Sequence, residues 1–132
     1  MELEKIFKNL ILIDFAFLIL IVFSSMLHSN DLTEINNYLE KGLLSNYENF
    51  TRTISIILFF MYLITLNLLY RFISYGRNLY TFLIISGLLL NYFNGSVVYT
   101  SIGTVLDQIG GIITGSILIL IYYSPIKENF KK

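Results

Sequence analysis

The sequence contains no cysteine and only one histidine, His28, so side chains that hold metals or act as strong nucleophiles are scarce. Without cysteine the chain forms no disulfide and gives no indication of a redox compartment. We find no phosphate loop, no Ser/His/Asp arrangement and no basic patch interleaved with aromatics. These absences argue against an enzyme, a cofactor, a metal site and a nucleic-acid partner.

Long apolar runs dominate what is present. Hydrophobic residues make up 55% of the 132 residues and charged residues only 14%, which is more apolar than a soluble domain. Four segments, about residues 10–27, 54–72, 79–98 and 102–123, have the length of a membrane span. The third is the weakest, because Ser86, Gly87 and Asn91 interrupt it. We expect an all-α polytopic membrane protein, an antiparallel four-helix transmembrane bundle forming one domain over residues 1–132.

The first apolar segment also resembles a secretory signal, since basic residues precede it. Its apolar run is longer than usual, it contains Asp14, and no small-x-small cleavage site follows it. We therefore expect this segment to be retained as the first helix.

Basic residues predict the orientation, because Lys and Arg concentrate on the cytoplasmic side of short loops. Only Lys41 and Arg52 lie on the side of the membrane that holds the loop between helices 1 and 2. Those on the other side are Lys5, Lys8, Arg71, Arg77, Lys127, Lys131 and Lys132. Both chain termini are therefore expected in the cytoplasm, with the lipid bilayer as the principal partner.

The first outer loop, residues 29–51, has the pattern of a short amphipathic helix. Leucine and isoleucine recur in it at helical spacing, and Gly42 suits the helix end. The simplest interpretation is a helix on the membrane surface or over the bundle. A partner-binding loop is the alternative, because Lys41 is outnumbered by acidic residues, which are Asp31, Glu34, Glu40 and Glu48.

Two acidic residues fall inside the predicted spans, where a charge is costly and suggests function. Asp14 is expected about one turn from the cytoplasmic end of helix 1, and Asp107 about one turn from the outer end of helix 4. On opposite sides of the membrane, they are not expected to share a site.

Both acidic residues have basic residues on their own side of the membrane. We expect Asp14 to pair with Arg71 or Arg77, and Asp107 to pair with Arg52. Asn67, four residues before Arg71, is expected to extend the Asp14 network. A proton- or cation-coupling site is the alternative.

Small residues line part of helix 4. Gly111 and Gly115 form a GxxxG step, and Gly103 lies earlier in the same helix. Such residues allow close helix approach, so we expect packing within the chain against helix 2 or 3, with homodimerisation as the alternative.

Two stretches carry a resemblance. The run YGRNLY at residues 75–80 opens helix 3, and the run YYSPI at residues 122–126, followed by Phe130, ends helix 4. In these features the C-terminal half resembles a group of small, uncharacterised bacterial four-span proteins. The resemblance implies a bacterial inner-membrane protein and no particular activity.

The chain also resembles small multidrug transporters in having four spans and one carboxylate in helix 1, at Asp14. It differs from them in carrying Asp instead of Glu and in its long first loop. We expect a non-enzymatic membrane protein that acts through helix-helix or loop-mediated contact, as accessory, regulatory or toxin-immunity proteins do. The alternative is a small oligomeric transporter or channel for protons or cations. A second copy or another membrane protein is the expected partner.

Overall fold

The computed structural model describes residues 2–26, 39, 42–44, 47–95 and 97–131. Within these ranges the elements are all helical, which confirms the predicted all-α class. Four long helices are followed by a 3-10 helix, Pro125–Lys131. The long helices are α1 (Glu2–Met26), α2 (Glu48–Tyr70), α3 (Ser74–Asn94) and α4 (Ser101–Tyr123).

Three of the four long helices, among the residues described, are long and apolar enough to cross a membrane. The qualifying segments are Glu2–Ser24 in α1, Asn49–Tyr70 in α2 and Ser101–Tyr123 in α4. Helix α3 is not among them, although its 21 residues would suffice in length. Its polar residues lower its hydropathy, so the fourth span stays a prediction.

Helix α1 starts earlier than the apolar run predicts. It begins at Glu2 and not near residue 10, because Phe7 already belongs to the buried face that continues through Ile11 and Asp14. Asp14 consequently lies at the middle of α1. The predicted position, one turn from the end of the helix, is wrong for this reason.

Helix α3 ends before the predicted boundary at residue 98. Gly95 has a φ of 91°, a conformation that favours glycine and stops the helix after Asn94. Residues 97–99 then lead to Thr100, whose side chain accepts a 3.0 Å hydrogen bond from the Gly103 N–H and caps α4.

The helices pack in a defined order. Helix α1 packs against α4, α2 packs against α3, and a smaller contact joins α1 to α2. We call the end of the bundle with both chain termini the terminal end, and the opposite end the loop end. Most buried apolar side chains lie toward the terminal end. They include Phe7, Leu69, Tyr80, Ile117 and Ile121.

The C-terminal 3-10 helix closes the terminal end. Its Phe130 side chain is 1% exposed, and its ring centroid lies 5.9 Å from that of Phe7 and 5.4 Å from that of Phe72. Asn129 donates a 2.7 Å hydrogen bond to the Glu4 carboxylate. The C-terminal 3-10 helix is thereby joined to the start of α1.

A tight turn connects α2 to α3. Phe72 has a positive φ of 57°, and the turn folds α3 back so closely that a Cβ at Gly76 would lie 2.8 Å from the Leu68 Cβ. Glycine is therefore required at this position for the two helices to meet.

The loop end is joined to the first loop through backbone contacts. The Gly42 N–H donates to the Asn94 carbonyl at 3.2 Å, and the Leu44 N–H donates to the Phe93 carbonyl at 3.1 Å. Most of the predicted amphipathic helix, including Asp31, Glu34 and Glu40, lies outside the described residues, whereas Leu39 is described and lies in a bend. Glu48 is the first residue of α2.

Candidate functional site

Asp14 is a buried acidic residue at the middle of a helix, and its side chain is only 5% exposed. It lies one turn after Ile11 on the face of α1 that faces the other helices. The Tyr62 hydroxyl of α2 donates a hydrogen bond to its Oδ2 atom at 2.5 Å. A buried carboxyl needs such partners, because burial without a hydrogen bond is costly.

A second tyrosine completes this cluster. Tyr80 of α3 is fully buried, and its hydroxyl lies 3.5 Å from Asp14 Oδ2 and 3.4 Å from the Tyr62 hydroxyl. The two tyrosine rings lie 5.7 Å apart. The Thr114 side chain of α4 lies beside the Tyr80 hydroxyl. All four helices thus meet at what we call the Asp14 cluster, which consists of Asp14, Tyr62 and Tyr80.

The Asp14 cluster opens into a cleft of about 660 Å³ that runs between the four helices. Most of its wall is apolar, and Asp107 also contributes to it. Two of the helices supply small residues, which leave the space that the cleft occupies. These residues are Gly87 of α3 and Gly110, Gly111, Thr114 and Gly115 of α4.

The ion pairs predicted for Asp14 are absent from the described part of the chain, where its polar partners are tyrosines. Arg71 is exposed just after the end of α2. Arg77, in the first turn of α3, places its guanidinium 5.4 Å from the Tyr122 ring centroid of α4. Both arginines lie near the terminal end, whereas Asp14 lies at mid-helix, which explains why neither predicted pair forms among the described residues.

The predicted pair of Asp107 and Arg52 is also not formed among the residues that the structure describes. Both side chains are exposed, and Asp107 lines the cleft. Asp14 and Asp107 therefore line one cleft, although the sequence indicated separate sites at opposite sides of the membrane.

Asn67 does not join the Asp14 cluster. It follows Tyr62 by five residues, which turns it about 140° around the helix axis. It is exposed and lines a separate groove with Arg71 and Leu12. Asn67 therefore does not extend the Asp14 network among the described residues.

The glycines of α4 differ in their surroundings. A Cβ at Gly103 would lie 3.4 Å from the Tyr99 Cβ and 3.9 Å from the Ser24 Oγ of α1. A Cβ at Gly111 or Gly115 would meet no atom within 4 Å. These two glycines therefore make no close helix contact in the described part of the chain, because they face the cleft.

No known protein-family profile matches the chain, and searches of curated proteins and of solved structures find no similar protein. The resemblances noted in the sequence therefore remain predictions. The site has to be interpreted from its own geometry.

Sequence reasoning missed the two tyrosines of the cluster. Tyr62 is the only tyrosine near the middle of a predicted span, and this unusual depth is a signal for a buried partner. Tyr80 gives no such signal, because it lies near the start of predicted helix 3, where a tyrosine is common at a membrane boundary. Only the tight turn at Gly76, which draws α3 against α2, brings its ring to Tyr62.

Proposed function

We propose that this protein binds a cation in the cleft and carries it across a membrane, without catalysing a chemical reaction. One observation carries the proposal. Asp14 is a buried carboxyl that lines the cleft and has tyrosine hydroxyls, and no basic side chain, as its partners in the described residues. An acidic side chain at membrane depth that faces a cavity is typical of ion and substrate pathways.

A membrane location is supported by the outer surface of the bundle. Large apolar side chains are exposed on every long helix, including Phe23, Ile64, Phe82 and Ile112 at 58 to 70%. Such a continuous apolar exterior is suited to lipid. We propose α3 as the fourth span, because it packs on α2 and lines the same cleft. The basic residues at the terminal end favour cytoplasmic termini, and the resemblance of the C-terminal half favours a bacterial inner membrane.

Transport by this chain requires more than one copy. A single four-helix bundle is too small to enclose a wide pore, and the cleft is bounded by four helices in the part of the chain that the structure describes. A symmetric oligomer is the usual solution for a small chain, since copies can close the open side of each cleft.

Transport can be tested with purified protein in liposomes under an imposed membrane potential. Currents would be recorded while protons, sodium, potassium or an organic ammonium ion is supplied in turn. We expect a current with one class of cation, its loss in Asp14→Asn, and its retention in Glu128→Gln, a matched carboxyl-to-amide change at an exposed residue outside the cleft. Currents no larger than those of protein-free liposomes, with every cation, would reject transport.

A second candidate function, helix-helix contact with a partner, is favoured by a different observation. A Cβ at Gly111 or Gly115 would have no atom of the described residues within 4 Å, and a GxxxG face of this kind admits another helix at close range. An accessory, regulatory or toxin-immunity protein would use such a face, alone or with the acidic first loop.

Cysteine crosslinking tests this candidate, because the chain has no cysteine of its own. Gly111→Cys and Gly115→Cys would be oxidised in native membranes, with Ile109→Cys, at an exposed residue on the other side of α4, as the control. Crosslinks formed through the glycine positions, and not through residue 109, would support docking of a helix in the cleft. Absence of any crosslink from the two glycine positions would count against it.

A further inference from the structure

Asp14 and Asp107 lie at different depths of the same cleft. The Asp14 cluster is level with Thr114 of α4, because the Thr114 side chain lies beside the Tyr80 hydroxyl. Asp107 precedes Thr114 by seven residues, which corresponds to about 10 Å along the helix axis. Asp107 is thus displaced toward the loop end.

Helix α1 gives an independent measure of this separation. Ile21 follows Asp14 by seven residues, and its Cδ1 atom lies 3.9 Å from the Cβ site of Gly110. Asp107 lies nearly one further turn toward the loop end. The distances counted along α4 and along α1 together place the carboxyl groups roughly 10 to 15 Å apart along the cleft.

The wall of the cleft is mostly apolar, and its polar side chains besides the two carboxyl groups include Ser55, Asn91 and Thr114. Leu18 and Ile21 of α1 face it from one side, and Gly110 and Gly111 of α4 from another. No Lys or Arg lines the cleft among the described residues. A cation whose positive charges are spaced along an apolar chain therefore complements the wall.

Asp14 retains hydrogen-bonding capacity for such an occupant. Both tyrosine hydroxyls donate to its Oδ2 atom, and no hydrogen bond to Oδ1 is formed within the described residues. A carboxylate accepts hydrogen bonds at both oxygens, so Oδ1 is available to an ammonium group.

We propose that the cleft binds a linear aliphatic polyamine, with one ammonium group at Asp14, another at Asp107, and the methylene chain over the glycine face of α4. This inference rests on the proposed cation-binding function and names its ligand class. An inorganic cation is a poorer match, because it requires several oxygen ligands within about 2 to 3 Å and the two carboxyl groups are too far apart to share one. A monoamine would engage only one carboxyl group.

The experiment is equilibrium binding of radiolabelled spermidine to the full chain in nanodiscs of phosphatidylcholine, whose headgroups carry no net charge. Ethylenediamine, too short to bridge the two carboxyl groups, and butylamine, with a single ammonium group, serve as competitors. We expect each to compete at least about tenfold less well than unlabelled spermidine, a tenfold change being one decade in Kd.

The variants separate the two ends of the site. Asp14→Asn and Asp107→Asn should each weaken spermidine binding about tenfold, and Glu128→Gln should leave it unchanged. Asp107 is exposed, so its substitution tests the inference without disturbing the core. Gly111→Leu, which fills the cleft without replacing a carboxyl group, should also reduce binding.

Equal spermidine binding by Asp107→Asn and the unaltered chain, or equal competition by butylamine, would overturn the polyamine inference. The proposed function would survive this result if a cation current still depended on Asp14. Absence of both spermidine binding and any cation current would reject the inference and the proposed function together.

Discussion

The Tyr62 hydroxyl lies 2.5 Å from the Asp14 carboxyl, across 48 residues of sequence, and joins the middle of α2 to the middle of α1. The contact satisfies a buried acidic side chain and fixes how the two helices face each other. Because α1 and α2 share a small interface, we expect this hydrogen bond to contribute to the alignment of the two helices.

Tyr62→Phe should therefore destabilise the bundle. The substitution keeps the ring and removes only the hydroxyl, and side-chain hydrogen bonds between membrane helices contribute about 1 kcal/mol. The free energy of unfolding can be measured by SDS titration in mixed micelles. Tyr123→Phe, at a side chain that is 84% exposed, is the matched control and should be neutral. Equal stability of the two variants would show that the Asp14 contact is energetically unimportant.

The turn between α2 and α3 makes a second prediction. Gly76→Ala places a methyl group 2.8 Å from the Leu68 Cβ and 3.0 Å from the Leu69 backbone nitrogen, so the helices must separate. Overpacking of this kind costs about 1 to 3 kcal/mol. The measurement is the thermal unfolding midpoint followed by circular dichroism in detergent.

Gly87→Ala is the control for this turn, because a Cβ there meets no atom within 4 Å. Within a helix, alanine is favoured over glycine by roughly 1 kcal/mol. The control should therefore be as stable as the unaltered chain or more stable. A Gly76→Ala variant that unfolds at the same temperature as Gly87→Ala would contradict the close approach of α2 and α3.

The helical class and the approximate position of every long helix follow from the sequence, because apolar runs of this length form helices. The helix boundaries were less predictable where they depend on polar residues or on the backbone conformation of a single residue. Phe7 extends the buried face of α1 into a stretch that contains Glu4 and Lys5, and hydropathy alone does not reveal that extension. The glycine conformation at Gly95 ends α3 before Val97 and Val98, although both are apolar.

The candidate site was only partly predictable. Asp14 and Asp107 stand out as acidic residues in apolar runs, but the sequence does not show which helix faces which. Charge complementarity suggested arginine partners, whereas tertiary packing places tyrosines at Asp14. The sequence also does not show that Gly111 faces the cleft, because a GxxxG step has the same sequence whether a helix or a cleft lies beside it.

The membrane topology gives a third prediction, made simple by the absence of native cysteine. Glu128→Cys lies in the 3-10 helix at the terminal end, and Tyr99→Cys lies between α3 and α4 at the loop end; both positions are exposed. In intact cells a membrane-impermeant thiol reagent should label residue 99 and not residue 128. Labelling should reach residue 128 once the cells are permeabilised.

The two cysteine variants also decide whether α3 spans the membrane. If α3 lay on the cytoplasmic surface, α4 would begin in the cytoplasm and end outside the cell. Residue 99 would then lie inside and residue 128 outside. Labelling of both positions in intact cells, or of residue 128 alone, would reject four spans with cytoplasmic termini.

The C-terminal 3-10 helix gives the last prediction. The Phe130 ring is buried against Phe7 and Phe72, so Phe130→Ala leaves a cavity in the core at the terminal end. Truncation of a buried phenylalanine costs about 3 to 5 kcal/mol. Tyr123→Ala removes a similar ring from an exposed position and should have little effect in the same SDS titration.

Because Asp14 lies at mid-helix, away from this end, Phe130→Ala should lower stability without abolishing cation binding per folded molecule. Loss of binding in a Phe130→Ala sample that remains folded would instead show that the C-terminal helix controls the cleft.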